Sequence, residues 1–137
     1  MIQNKSKIDA CVQNAKRITQ IVDKYGSIKA YIHSFYPNSS DEALYRLKRS
    51  LESKFSFLGG VTSYHFMTDI GLNVLKPDRV ILRIFKRLGL IESEKDFLGA
   101  VKIGRAFSEA TNLSNRFIDI IFVLYDQLNQ DKIECIC

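Results

Sequence analysis

The chain has 137 residues, the commonest size for one domain and enough to bury a core without disulfides or metals. Apolar residues make up 46% and charged residues 26%, which excludes a disordered chain, and no apolar run reaches the roughly 18 residues of a membrane span. The net charge of +5 favours an anionic partner, and the polar start from Met1 to Lys7 lacks the apolar heart of a signal peptide. The expected location is therefore cytoplasmic, or at the nucleoid of a bacterium or archaeon.

Ile8, Cys11, Val12, Ala15, Ile18, Ile21, Val22 and Tyr25 recur every three or four residues. That spacing predicts one apolar face of a long amphipathic helix, stopped by Gly26. Cys11 lies on this face and is expected to be a small core residue. Ser27 caps a short helix through Ile28, Tyr31, Ile32 and Phe35, which Pro37 ends. Ser40, followed by Asp41 and Glu42, opens a helix that turns Ala43, Leu44, Leu47 and Leu51 inward. Phe55 to Leu58 lead to Gly59-Gly60, and a further helix runs roughly from Thr62 to Ile70, closed by Gly71.

Pro77 suits the first turn of the next helix, whose buried stripe is Val80, Ile81, Ile84, Phe85 and Leu88, with Gly89 at its C-terminus. Ser93 with Asp96 forms a possible capping arrangement for a helix through Phe97, Leu98, Val101 and Ile103 towards Phe107. The last helix starts at Ser114 and is expected to bury Phe117, Ile120, Ile121, Val123 and Leu124. Cys135 and Cys137 form a Cys-x-Cys end that falls short of four metal ligands. Alternating strand patterns are absent. The expectation is an all-α fold: one domain over residues 1–137, a compact bundle of about seven helices.

Two stretches stand out beside each other: Phe57-Leu58-Gly59-Gly60-Val61-Thr62-Ser63-Tyr64, and Leu75-Lys76-Pro77-Asp78-Arg79-Val80 running on to Arg87-Leu88-Gly89-Leu90. Together they resemble the helix-hairpin-helix DNA glycosylase superfamily. In it, two helices joined by a Gly-rich hairpin precede an Asp that opens the next helix, which typically ends in Arg-Leu-Gly-Leu. Lys7 to Ala15 resembles the Lys-x-x-Ala-x-x-x-Asn-Ala segment of 3-methyladenine DNA glycosylase I. Phe57-Leu58-Gly59 continuing through Tyr64-His65-Phe66-Met67 is similar to it too, and Arg116 to Gln127 resembles the closing helix.

The resemblance implies roles for particular residues. Gly59, Gly60, Val61, Thr62 and Ser63 would hold a DNA phosphate through backbone amides at a helix start, a contact that fixes register without reading bases. Asp78 matches the family carboxylate at the base-flipping pocket, where it would stabilise a cation-like sugar or activate water. The plain alternative is that Asp78 is a favourable acid in a first helical turn. Ser63 stands where bifunctional members carry a Lys nucleophile, so any activity is expected to lack lyase cleavage. Lys76, Arg79, Arg83, Lys86 and Arg87 place five cations in 12 residues, either for phosphate contact or as a solvated helix face. Tyr64, His65, Tyr31 and Phe35 are weaker candidates for a base pocket, since aromatics at helical spacing are more often core.

The chain also departs from that family. The family's stretch before the segment matched by Lys7 to Ala15 carries pocket aromatics, an acid and part of a zinc site, and it has no counterpart here. Arg79 stands where a His would follow the Asp. No metal and no cofactor are therefore expected. The function implied is base-excision repair of double-stranded DNA by a monofunctional N-glycosylase releasing alkylated purines, with no membrane involved. The alternatives are a non-catalytic helix-hairpin-helix DNA-binding module, a fragment of a larger glycosylase, or a helical protein-interaction domain whose charge is incidental.

Overall fold

A computed structural model describes residues 4–133, which form seven helices and, among those residues, no strand. They are α1 (Lys5–Tyr25), α2 (Ile28–His33), α3 (Asp41–Lys54), α4 (Val61–Asp69), α5 (Arg79–Arg87), α6 (Phe97–Thr111) and α7 (Asn115–Ile133). The all-helical expectation holds, with seven helices. The Cys135 and Cys137 end lies outside the described residues.

The caps explain most of the boundaries. Ser27 Oγ accepts from the Ala30 amide, Ser40 Oγ from the Ala43 amide and Ser114 Oγ from the Phe117 amide. Each side chain satisfies one amide that the first helical turn leaves open. Before α6 it is Asp96, not Ser93, that caps: its Oδ1 accepts from the Gly99 amide, and Ser93 Oγ serves the Lys95 amide in the turn ahead. The helix then runs past Phe107 to Thr111 and ends on Asn112 in the left-handed conformation.

By internal contacts the chain divides into two compact units, Met1–Phe66 and Met67–Cys137. In the first, α1 packs on α2. Ile21, Tyr31, Ile32, Leu44, Leu47, Leu51 and Tyr64 are buried there. Most of the expected apolar face of α1 is not: Ile8, Val12, Ile18 and Val22 are exposed, and so is Cys11, which is no core residue. Length gives the reason. At 1.5 Å per residue α1 spans about 31 Å and its partner α2 about 9 Å, so α2 covers only a part of the stripe.

In the second unit α5, α6 and α7 pack on one another. Leu75, Ile81, Leu82, Ile84, Phe85, Ile91, Ala100 and Ile118 form the core, with Phe107 and Phe122 against it. The Phe85, Phe107 and Phe122 rings meet pairwise at 5.3 to 6.0 Å between centroids. The α7 reading needs correction. Phe117, Ile120, Ile121 and Leu124 are exposed, whereas Asn115, Ile118 and Asp126 are buried. From Phe117 to Tyr125 this helix is apolar at every position but Asp119, so hydrophobicity alone does not choose its inward side there. Ion pairs do: Asp119 meets Lys76 and Asp126 meets Arg83.

The segment between α4 and α5 is pinned by polar contacts. The Asn115 amide donates to Asn73 Oδ1 at 2.8 Å, and Asn115 Nδ2 donates to the Asn73 carbonyl at 3.1 Å. Thr68 Oγ1 donates to the Val74 carbonyl at 3.0 Å. Opposite the same segment, a Cβ added to Gly104 would sit 2.4 Å from Leu75 Cβ, so α6 approaches closely only because residue 104 has no side chain.

Candidate phosphate hairpin and carboxylate site

The hairpin is assembled wholly within the first unit. Phe55 leaves α3 extended, and Phe57 and Gly60 then take positive φ of 60° and 58° to turn the chain into α4. A left-handed residue at 60 is least costly as glycine. No atom lies within 4 Å of a Cβ built at Gly59 or Gly60, so both glycines border open space, as close approach by a ligand requires.

The hairpin amides nonetheless have partners. Gly59 N–H donates to Thr62 Oγ1 at 2.9 Å, and that oxygen lies 2.6 Å from the Gly59 carbonyl. Gly60 N–H donates to Glu52 Oε1 at 2.8 Å. The same carboxylate oxygen accepts from Lys48 Nζ at 2.6 Å and lies 3.4 Å from Ser63 Oγ. Ser63, fully buried, also reaches the Gly60 carbonyl at 2.8 Å. Glu52 was not legible in the sequence as part of this site. The one available signal was its helical pairing with Lys48 four residues earlier, which says nothing of a loop eight residues later.

Of the aromatic candidates, Tyr31 and Tyr64 are buried at 1% and 3% exposure. Tyr31 stacks edge-on with Tyr25 and Phe35 and shares a 2.8 Å hydrogen bond with Ser50 Oγ. Lys48 Nζ stands 5.2 Å from the Tyr64 ring centroid. Burial, with the negative charge of Glu52 and a contribution from Tyr45, pushes the Tyr64 phenol up to about 12. His65 is half-buried on α4.

Asp78 and the cations belong to the second unit. Asp78 is the N-cap of α5, and its Oδ1 accepts from the Val80 and Ile81 amides at 3.0 and 3.1 Å. Its Oδ2 meets Lys76 Nζ at 3.0 Å, and the same ammonium lies 3.7 Å from Asp119 Oδ2. All three side chains are mostly buried. Burial alone would lower the Lys76 pKa, but the hydrogen bond to Asp78 and the charges of both acids outweigh it and hold it above the ordinary lysine value.

The five cations split into two groups. Lys76, Arg83 and Lys86 are committed to Asp78, Asp126 and Glu94. Among the described residues Arg79 and Arg87 have no acidic partner and are exposed. Among the described residues, no three His, Cys, Asp or Glu side chains cluster to hold a metal. No helix among those residues is long and apolar enough to cross a membrane.

The family model for methyladenine glycosylase matches residues 1–76, more than half of the chain, taking in α1 to α4 and the hairpin and ending two residues before Asp78. No curated protein and no solved structure matches the chain.

Proposed function

Because the chain belongs to the methyladenine glycosylase family, we propose that it is a monofunctional DNA N-glycosylase that releases alkylated purines from double-stranded DNA in base-excision repair. The observation that carries this reading is the family match itself, which includes the Gly59-Gly60 hairpin and stops at the threshold of Asp78. In this reading the hairpin from Gly59 to Ser63 faces a phosphate, and the exposed Arg79 and Arg87 add charge near the backbone. The flipped nucleotide loses its base when the glycosidic electron pair leaves with the purine. A water oxygen then bonds to C1′, and a carboxylate accepts the proton that water gives up. Asp78 is the residue proposed for that role and for stabilising the positive sugar. Ser63 offers no amine, so no Schiff base forms with the sugar and the strand stays uncut.

The test is free-base release from methylated duplex DNA, with Asp78→Asn run alongside. Release that falls at least 100-fold in the variant supports the assignment, within the range expected of an acid–base group. Undiminished release by Asp78→Asn would overturn it.

One observation favours a second reading, a DNA-binding module without excision. Both oxygens of Asp78 are already occupied, one by the α5 amides and one by Lys76, so a purely structural cap accounts for the residue. Retained duplex binding with no base release from the unaltered chain would select this reading.

A further inference from the structure

Resting on the DNA reading above, we propose that a polar cleft in the first unit, between α1 and the end of α3, is a second site for DNA phosphates beside the hairpin. The cleft measures about 430 Å³ and is walled by Gln13, Asn14 and Arg17 of α1 and by Ser53, Lys54 and Phe55 across from them. Its volume is that of a small ligand pocket. Its chemistry is that of an anion site.

Arg17 and Lys54 have no acidic partner among the described residues; Arg17 touches only the amide oxygen of Gln20, at 3.1 Å. The one carboxylate in the wall, Glu52, is already answered by Lys48 and by the Gly60 amide. Two uncompensated cations therefore set the sign of the cleft. A guanidinium offers a fork that matches two phosphate oxygens, and an ammonium adds a point charge.

The wall is held in place. Asn14 Oδ1 accepts from the Ser56 amide at 2.8 Å, and Asn14 Nδ2 donates to the Ser56 carbonyl at 3.0 Å. Both ends of one side chain thus clamp the segment that leads from the cleft to the hairpin. Ser56 and Gly59 are three residues apart, at most about 11 Å of extended chain. Successive phosphates of one strand advance about 3.4 Å along the duplex axis, so cleft and hairpin are close enough to address neighbouring phosphates of one strand. A free nucleotide carries the same chemistry, and the experiment separates the two.

Duplex binding by the full chain is measured across a range of salt for the unaltered protein, for Arg17→Gln with Lys54→Gln, and for a control pair, Lys29→Gln with Lys102→Gln, at exposed lysines of α2 and α6 outside the cleft. The cleft pair is expected to weaken binding about tenfold and to flatten the slope of log K against log salt by roughly two units, one for each phosphate no longer neutralised. The charge-retaining pair Arg17→Lys with Lys54→Arg restores the slope, which separates removal of charge from failure to fold. A slope for the cleft pair equal to that of the control pair overturns the proposal. So does displacement of the duplex by micromolar deoxynucleoside monophosphate, which would give the cleft to a free nucleotide. If the unaltered chain binds no duplex at any salt, it is the DNA reading itself that fails.

Discussion

The starts of α4 and α5 solve the same problem with the same group and differ in where that group comes from. Each leaves backbone amides open, and at each a carboxylate oxygen answers. At α5 the acid is Asp78, the N-cap itself, whose second oxygen is locked by a mostly buried ammonium. At α4 the acid is Glu52, borrowed from the preceding helix and held by one oxygen at the rim of open space. A carboxylate fixed on both oxygens is part of the scaffold, whereas one held by a single oxygen from a flexible side chain can yield its place to another anion. The difference teaches that anion chemistry at a helix start does not by itself mark a ligand site. What matters is whether the internal anion can leave.

The sharpest way to break this comparison is at Asp78. Asp78→Asn keeps a good N-cap and is expected to leave the melting temperature within a few degrees while base release falls 100-fold or more. Equal loss of stability and activity would show that the residue only caps. Removing the lock comes next. Lys76→Met takes away the ammonium that Asp78 and Asp119 share, and unfolding in urea should show a loss of about 2 kcal/mol, discounted from fully buried pairs because some exposure remains. Asp78→Ala, which removes the cap as well, should cost about 1 kcal/mol beyond the pair.

At the other helix, Glu52→Gln should cost less than about 1 kcal/mol of stability and tighten duplex binding a few-fold, because an anion no longer competes for the Gly60 amide. Weaker binding would mean that Glu52 shapes the hairpin rather than occupying it. A further effect is in alkali. Tyr64 keeps its proton in the folded chain up to about 12, whereas an unfolded tyrosine loses it near 10. Between those values the unfolded state binds fewer protons, so stability falls as pH rises. Phenolate absorbance should show late-titrating tyrosines, since burial also raises the Tyr31 pKa, and the late amplitude should fall by one tyrosine in Tyr64→Phe.

Local signals carried the fold well. Ser27, Ser40 and Gly26 mark helix ends through contacts within four residues, and such contacts are written in adjacent sequence. The misjudged faces share a different cause. Ile8, Val12, Ile18 and Val22 have the right period, but period reports that a face is apolar and not whether a neighbour is long enough to cover it. In α7, Phe117 is larger than Ile118 and Leu124 is its equal, yet the helix turns the other way because Asp119 and Asp126 find cations 43 residues back in the chain. Pairings of that range leave no periodic trace.

The candidate site was half legible for the same reason. Gly59, Gly60 and Asp78 stand in motifs, and the structure gives each a turn or cap of the expected kind. Glu52 belongs to no motif, and Asp119 lies in the closing-helix segment, which does not say where its partner is. They act through space, on groups eight and more than 40 residues away. The clustering of the five cations in sequence likewise hid that three are spoken for.

Gly104 has a bearing on how variants of this protein are interpreted. Its bare backbone rests on Leu75, the residue before Lys76. A methyl group there would push Leu75, and with it the segment that carries Lys76 and Asp78, as well as Asn115. Position 104, on another helix and with no chemical group of its own, would therefore score in an activity screen as though it were catalytic. Only a melting curve taken beside the assay would show that the fault is one of fit.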